Sequence, residues 1–207
     1  KELFKSIMKT QLESGMPYIF FKDRANEVNH NSHMGMIGNG NLCMESFSNF
    51  KPTINFVEEE DGNTSIRKSE MGEIHTCNLI SINLAELTSE ELEKYVALAV
   101  RALDNTIDLT VTPLKESNKH NLLYRTIGVG AMGLADYLAR EYMIYEESIN
   151  EINEIFERIA LYSIKASALL AKDRGAYKAF KGSKWDQGIF YGKKREWYDT
   201  NSKFKDE

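Results

Sequence analysis

Apolar positions Leu3, Phe4, Ile7, Met8 and Leu12 recur at helical spacing, so residues 1–13 read as an amphipathic helix. Gly15 and Pro17 end it, and Tyr18 to Phe21 read as a short buried strand. Residues 23–40 are polar and loop-like, with Gly35, Gly38 and Gly40 allowing a close backbone approach to another surface. The following Asn41-Leu-Cys-Met-Glu45 segment is predicted to be extended. Residues 51–72 are charged and predict an exposed excursion or hairpin. Residues 74–84 are apolar enough for a well-buried strand. Thr88 with Glu91 three residues later reads as a capping box. It opens a long helix with a stripe through Leu92, Tyr95, Val96, Ala99, Leu103 and Ile107. Pro113 lies in the next loop, and a helix is expected over about residues 130–140. Another is expected near residues 150–172, with Gly175 placed as its C-cap glycine. Residues 177–207 are aromatic, basic and irregular. The order of elements predicts an α/β fold, with most of its helix after Thr88.

Composition narrows the function classes. The chain has 207 residues, 42% hydrophobic and 28% charged, which suits a packed core. A net charge of −5 argues against a nucleic-acid polymer as partner. No apolar run approaches the roughly 20 residues that span a bilayer, so no membrane association is expected. Two cysteines are too few for a disulfide framework and favour a reducing, cytoplasmic setting. A complete parallel barrel would need several more strands than the pattern offers. The chain starts on Lys-Glu-Leu-Phe and stops in the polar run 201–207, so a fragment or one piece of a split protein is expected.

The most informative chemistry is the alternation of Asn41, Cys43 and Glu45. In an extended backbone these three share one face, with Leu42 and Met44 turned into the protein. An amide, a thiol and a carboxylate would then address one small molecule: the amide pairing with a hydroxyl, the carboxylate taking a proton, the sulfur doing covalent or radical chemistry. On spacing alone, an ordinary loop with one half-buried cysteine is the favoured reading. Gly128-Val-Gly-Ala-Met-Gly133 matches a dinucleotide fingerprint by letters, yet lacks the preceding strand and later acid, and small residues for close helix packing explain it better. His30, His33, His75, Cys43 and Cys77 lack the paired spacing of a zinc site. Glu58 to Asp61 reads as a solvated turn rather than a calcium loop.

Four segments, in order, resemble the large catalytic subunit of ribonucleotide reductase. They are Asn41-Leu-Cys-Met-Glu45, His75-Thr-Cys-Asn-Leu-Ile-Ser-Ile-Asn-Leu84, Arg125-Thr-Ile-Gly-Val-Gly-Ala-Met-Gly-Leu-Ala-Asp136, and residues 166–175 with Phe180-Lys-Gly-Ser183 and Gly188-Ile189. The resemblance implies part of a ten-stranded α/β barrel: a cysteine-bearing finger loop at about 35–50, a barrel strand at about 74–84 and a helix-rich C-terminal part at about 88–175, all within one partial catalytic domain spanning 1–207. It implies that Cys43 becomes a thiyl radical that abstracts the ribose 3′ hydrogen. Glu45 would take the 3′-hydroxyl proton, Asn41 would hydrogen-bond the ribose, and Cys77 would be one of two thiols that reduce the substrate. It further implies a ribonucleoside diphosphate substrate and a small radical-generating partner subunit, with a dimetal-tyrosyl source favoured over cobalamin. Thioredoxin or glutaredoxin would be the reductant, and the assembly a homo-oligomer joined to the remaining part of the large subunit.

No cofactor or metal is expected on this chain itself. It has Cys43 and Cys77 but no further cysteine, and lacks the family's phosphate-binding loop, radical-relaying tyrosine pair and C-terminal cysteine pair. Turnover by this chain alone is therefore not expected. The alternative is a helical scaffold that keeps the family's sequence without its chemistry.

Overall fold

The computed structural model describes residues 1–60 and 62–190. Asp61 and residues 191–207, which include the predicted irregular tail and the polar run 201–207, lie outside the described residues. In chain order the elements are α1 (Glu2–Ser14), α2 (Lys22–Glu27), β1 (Ile54–Glu60), β2 (Ser65–Glu70), β3 (Leu79–Asn83), α3 (Leu92–Leu109), α4 (Lys115–Tyr124), β4 (Gly128–Met132), α5 (Leu134–Arg140) and α6 (Ile149–Arg174).

The centre is a β3–α3–α4–β4 crossover. β3 and β4 pair in parallel, from Leu79 opposite Gly128 to Asn83 opposite Met132. Parallel neighbours need a long connection, and here helices supply it. α3 buries Leu92, Val96, Ala99, Val100, Leu103 and Ile107, the stripe expected from the sequence with Tyr95 left at its edge. Leu92, Val96 and Ala99 meet Ile82 and Leu84 from the β3 end and Ile155 and Ile159 from α6. Each fully buried aliphatic side chain contributes about 1.5–3 kcal/mol, so this shared face is what holds the unit together. Arg125 at the α4–β4 junction pins the far end of α3, with its guanidinium 2.7 Å from Asp104 and 2.7 Å from Asp108.

Several expectations are corrected. Tyr18 to Phe21 form no strand; among the described residues nothing pairs with them, and Phe20 instead stacks on Phe47 at 5.0 Å. The segment 41–45 is a turn rather than a strand. Within 74–84, only Leu79–Asn83 is a strand. The helix expected from about residue 130 begins at Leu134, because Gly128–Met132 is itself β4. α4 was not foreseen at all.

The capping box is half made. The Glu91 carboxylate accepts from the Thr88 N–H at 3.1 Å and its hydroxyl at 3.0 Å, but the Glu91 N–H donates to the Thr88 carbonyl at 3.1 Å rather than to its hydroxyl. The charged excursion at 51–72 is a hairpin, with β1 and β2 antiparallel and a bridge between Lys51 and Glu73 at its base.

The α/β class holds, whereas no closed barrel forms among the described residues, whose parallel sheet has two strands. No helix is long and apolar enough to cross a membrane.

Candidate active site

The Asn41–Glu45 segment caps a narrow hairpin. Gly40 bridges Phe47, the Asn41 N–H donates to Ser46 O at 3.1 Å, and the Met44 N–H donates to Asn41 O at 3.2 Å. Met44 takes a left-handed φ of 61°, the position where short hairpin loops favour glycine. This curl defeats the alternation expected of a strand. Leu42, expected to point inward, is 86% exposed.

The amide and the carboxylate nonetheless meet. Asn41 Nδ2 donates to Glu45 Oε1 at 2.5 Å, and Asn41 Oδ1 accepts from the Ser46 N–H at 3.0 Å. Asn41 therefore closes the turn from both sides, with the free thiol of Cys43 exposed on the arc between amide and acid. Bonds of this charged kind are roughly twice as strong as neutral ones. Cys77 is likewise a free, exposed thiol, two residues beyond His75 on the approach to β3.

Beneath the turn lies a polar layer that hydrophobic patterning does not reveal. Ser46 Oγ lies 2.7 Å from His75 Nε2, and Ser48 Oγ lies 2.9 Å from His120 Nε2. The rings of His75 and His120 are 5.0 Å apart, and His120 lies 4.7 Å from the Tyr124 ring. Tyr124 donates to the buried Glu73 at 3.2 Å, and Lys119 Nζ lies 3.5 Å from the other Glu73 oxygen. Thr76 donates to Asn121 at 2.6 Å, and Asn78 to the Thr126 carbonyl at 3.1 Å. On the far side, Asn29 donates to Asn49 at 2.8 Å and Asn49 to the Asn31 carbonyl at 2.7 Å, fixing the root of the turn.

Burial governs the titration of this layer. It drives the His120 pKa down to about 4, helped by the neighbouring His75, so the ring is neutral near pH 7. Burial also lowers His75, opposed by the nearby charge of Glu45. Tyr124 is pushed up to about 12 by burial and by Glu73. Among the described residues no group of three potential ligands could hold a metal, and His75 binds hydroxyls instead.

Sequence reading missed Ser46, Ser48, Glu73, His120 and Tyr124, and it weighed His75 only as a ligand. A signal was present: Ser117, His120, Asn121 and Tyr124 recur at i, i+3, i+4 and i+7, a helical stripe of buried residues that happens to be polar.

The turn thus sets an amide, a thiol and an acid side by side on an α/β scaffold, an arrangement that can support thiol chemistry. The family model for the ribonucleotide reductase barrel domain matches residues 1–206, and the chain belongs to that family. It is 46% identical over 203 residues to the ribonucleoside-diphosphate reductase subunit alpha of Synechocystis sp., covering 98% of this chain and 24% of that relative. With the alpha subunit of Helicobacter pylori the identity is 36% over 230 residues, covering 92% of this chain and 29% of the relative. With the large chain of Neurospora crassa it is 31% over 199 residues, covering 91% and 19%. The chain thus spans about a quarter of the length of the first relatives, at 24% and 29%.

Proposed function

We propose that this chain is part of the catalytic alpha subunit of a ribonucleoside-diphosphate reductase and supplies the thiol that starts substrate reduction. The observation that carries this reading is the 2.5 Å bond from Asn41 Nδ2 to Glu45 Oε1, which brackets Cys43 at the tip of a stiffened turn. In the assembled enzyme the turn enters a ten-stranded barrel completed by the rest of the subunit, within a partial catalytic domain spanning 1–207. The exposure of Leu42 and Cys43 supports this placement, because a solvent-facing radical would be quenched.

The Cys43 thiyl removes the ribose 3′ hydrogen atom: an S–H bond forms and a carbon radical remains at C3′. Glu45 takes the 3′-hydroxyl proton while Asn41 holds the ribose, and the 2′-hydroxyl leaves as water after receiving a proton from a thiol. Two thiols, Cys77 and one from outside this chain, provide two electrons and close into a disulfide, their second hydrogen going to C2′, and Glu45 returns its proton to the 3′ oxygen. Cys43 then returns its hydrogen atom to C3′, regenerating the thiyl. The balance is one ribonucleotide and one dithiol giving one deoxyribonucleotide, one disulfide and one water.

The substrate on this reading is a ribonucleoside diphosphate. The radical comes from a small partner subunit with a dimetal-tyrosyl centre, and thioredoxin or glutaredoxin re-reduces the disulfide. The enzyme works as a homo-oligomer in the cytoplasm.

The test is Cys43→Ser in the full-length alpha subunit, assayed with its radical-supplying partner. Deoxynucleotide formation is expected to vanish while subunit assembly persists. Undiminished activity would refute the reading in favour of a scaffold role.

A further inference from the structure

Resting on that reading of the turn, we infer that His75 is a positioning residue for the reaction: it sets the Asn41–Glu45 pair by gripping the hydroxyl of Ser46. A continuous path of short bonds leads from the imidazole to the acid. His75 Nε2 is 2.7 Å from Ser46 Oγ. The backbone of Ser46 pairs with Asn41 twice, its N–H donating to Asn41 Oδ1 at 3.0 Å and its carbonyl accepting from the Asn41 N–H at 3.1 Å. Asn41 then holds Glu45 at 2.5 Å. A shift of Ser46 therefore displaces the amide that orients the carboxylate.

Three elements fix the ring that does the gripping. Its face lies 5.0 Å from His120 of α4, whose own Nε2 holds Ser48 two residues beyond Ser46. Its other nitrogen, Nδ1, is 3.5 Å from the Thr126 hydroxyl at the entrance to β4. Its backbone continues through Thr76, tied to Asn121 at 2.6 Å, to Cys77. The imidazole thus couples the turn to α4, to β4 and to the segment bearing the second thiol.

A flexible apolar residue at 75 would leave Ser46 able to bond water and Asn41 free to drift. Geometry errors of this kind lower the rate of chemistry more than they weaken substrate binding, because near-attack alignment is what is lost. The imidazole's work at Nε2 is hydrogen bonding to a hydroxyl, which a glutamine amide can reproduce.

The experiment uses the full-length alpha subunit with its radical partner and measures kcat and KM for ribonucleoside diphosphate. His75→Ala is expected to lower kcat about tenfold, equivalent to one hydrogen bond of about 1.4 kcal/mol, with KM within about twofold. Ser46→Ala is expected to give the same loss, and the double variant no more than either single one, since both break the same link. His75→Gln is expected to recover most of kcat.

Wild-type kcat in Ser46→Ala, a variant that removes one oxygen, would overturn the inference even if His75→Ala folds poorly. Losses that multiply to about a hundredfold in the double variant would also overturn it. Cys43→Ser assayed in parallel separates the two claims. If it is inactive while Ser46→Ala and His75→Ala are unimpaired, the positioning role fails alone; if it is active, the functional reading fails as well.

Discussion

His120 has no exposed surface, with its ring set between those of His75 and Tyr124. Its pKa falls from 6.5 to about 4 on folding, so between those values the unfolded chain carries a proton that the folded one does not. Stability therefore falls as pH drops through that window and is fully present above about pH 6.5. At about 1.4 kcal/mol per unit, the full excursion amounts to about 3 kcal/mol. His75 shifts in the same direction, so it adds to the loss rather than offsetting it. The expected outcome is a decline in the opening free energy of the α4 amides, read by hydrogen exchange, between pH 7 and 5. His120→Asn should remove most of that dependence, and an unchanged slope in the variant would rule the assignment out. Hydropathy gives no mark of this burial; the sequence's one hint is the helical spacing of Ser117, His120, Asn121 and Tyr124.

At the scale of elements, the junction from β4 to α5 combines a left-handed backbone with a close contact. Gly133 has a φ of 72°, and an added Cβ would collide with Asn83 Oδ1 and press on Ala85. Gly133→Ala is expected to destabilise by about 2 kcal/mol or more, since a strained backbone and a steric clash act together. Gly62→Ala in the exposed hairpin loop meets nothing within 4 Å and should change stability by less than about 0.5 kcal/mol. Urea melts of both variants check the contrast, and equal effects would refute it.

The same junction shows what patterning can and cannot deliver. α3 was legible because its buried face is apolar at helical spacing, and α6 because Ile155, Ile159 and Ala166 keep that spacing beside the buried Glu157. α4 was hidden because its buried face is made of Ser117, His120, Asn121 and Tyr124, which burial of hydrogen-bonding groups makes possible but hydropathy does not detect. Close packing explains Gly128 in the glycine-rich run, yet the packing is that of a strand rather than a helix: a Cβ there would strike Leu79 across the ladder. At 41–45 the alternation of residue types does not become an alternation of faces. Met44 in a left-handed conformation prevents it, and no rule of composition announces such a residue.

The whole molecule leaves apolar surface that a self-sufficient domain would cover. α1 has the amphipathic stripe expected of it but buries no residue, with Leu3 74% and Leu12 89% exposed. A parallel sheet is stable when both faces and both edges are occupied, whereas β3 and β4 pair solely with each other among the described residues. Val111 and Leu109, past the buried end of α3, are also open to solvent. Exposed apolar surface of this amount drives association in water. The chain on its own is therefore expected to self-associate, giving a broad, concentration-dependent mass by size exclusion with light scattering. It should form no deoxynucleotide even with the radical partner present, because Cys77 lacks a second reducing thiol that does not consume Cys43. On the function proposed above, co-expression with the remainder of a catalytic alpha subunit should suppress the association and restore turnover together. A monodisperse, catalytically active monomer would contradict both halves of this expectation.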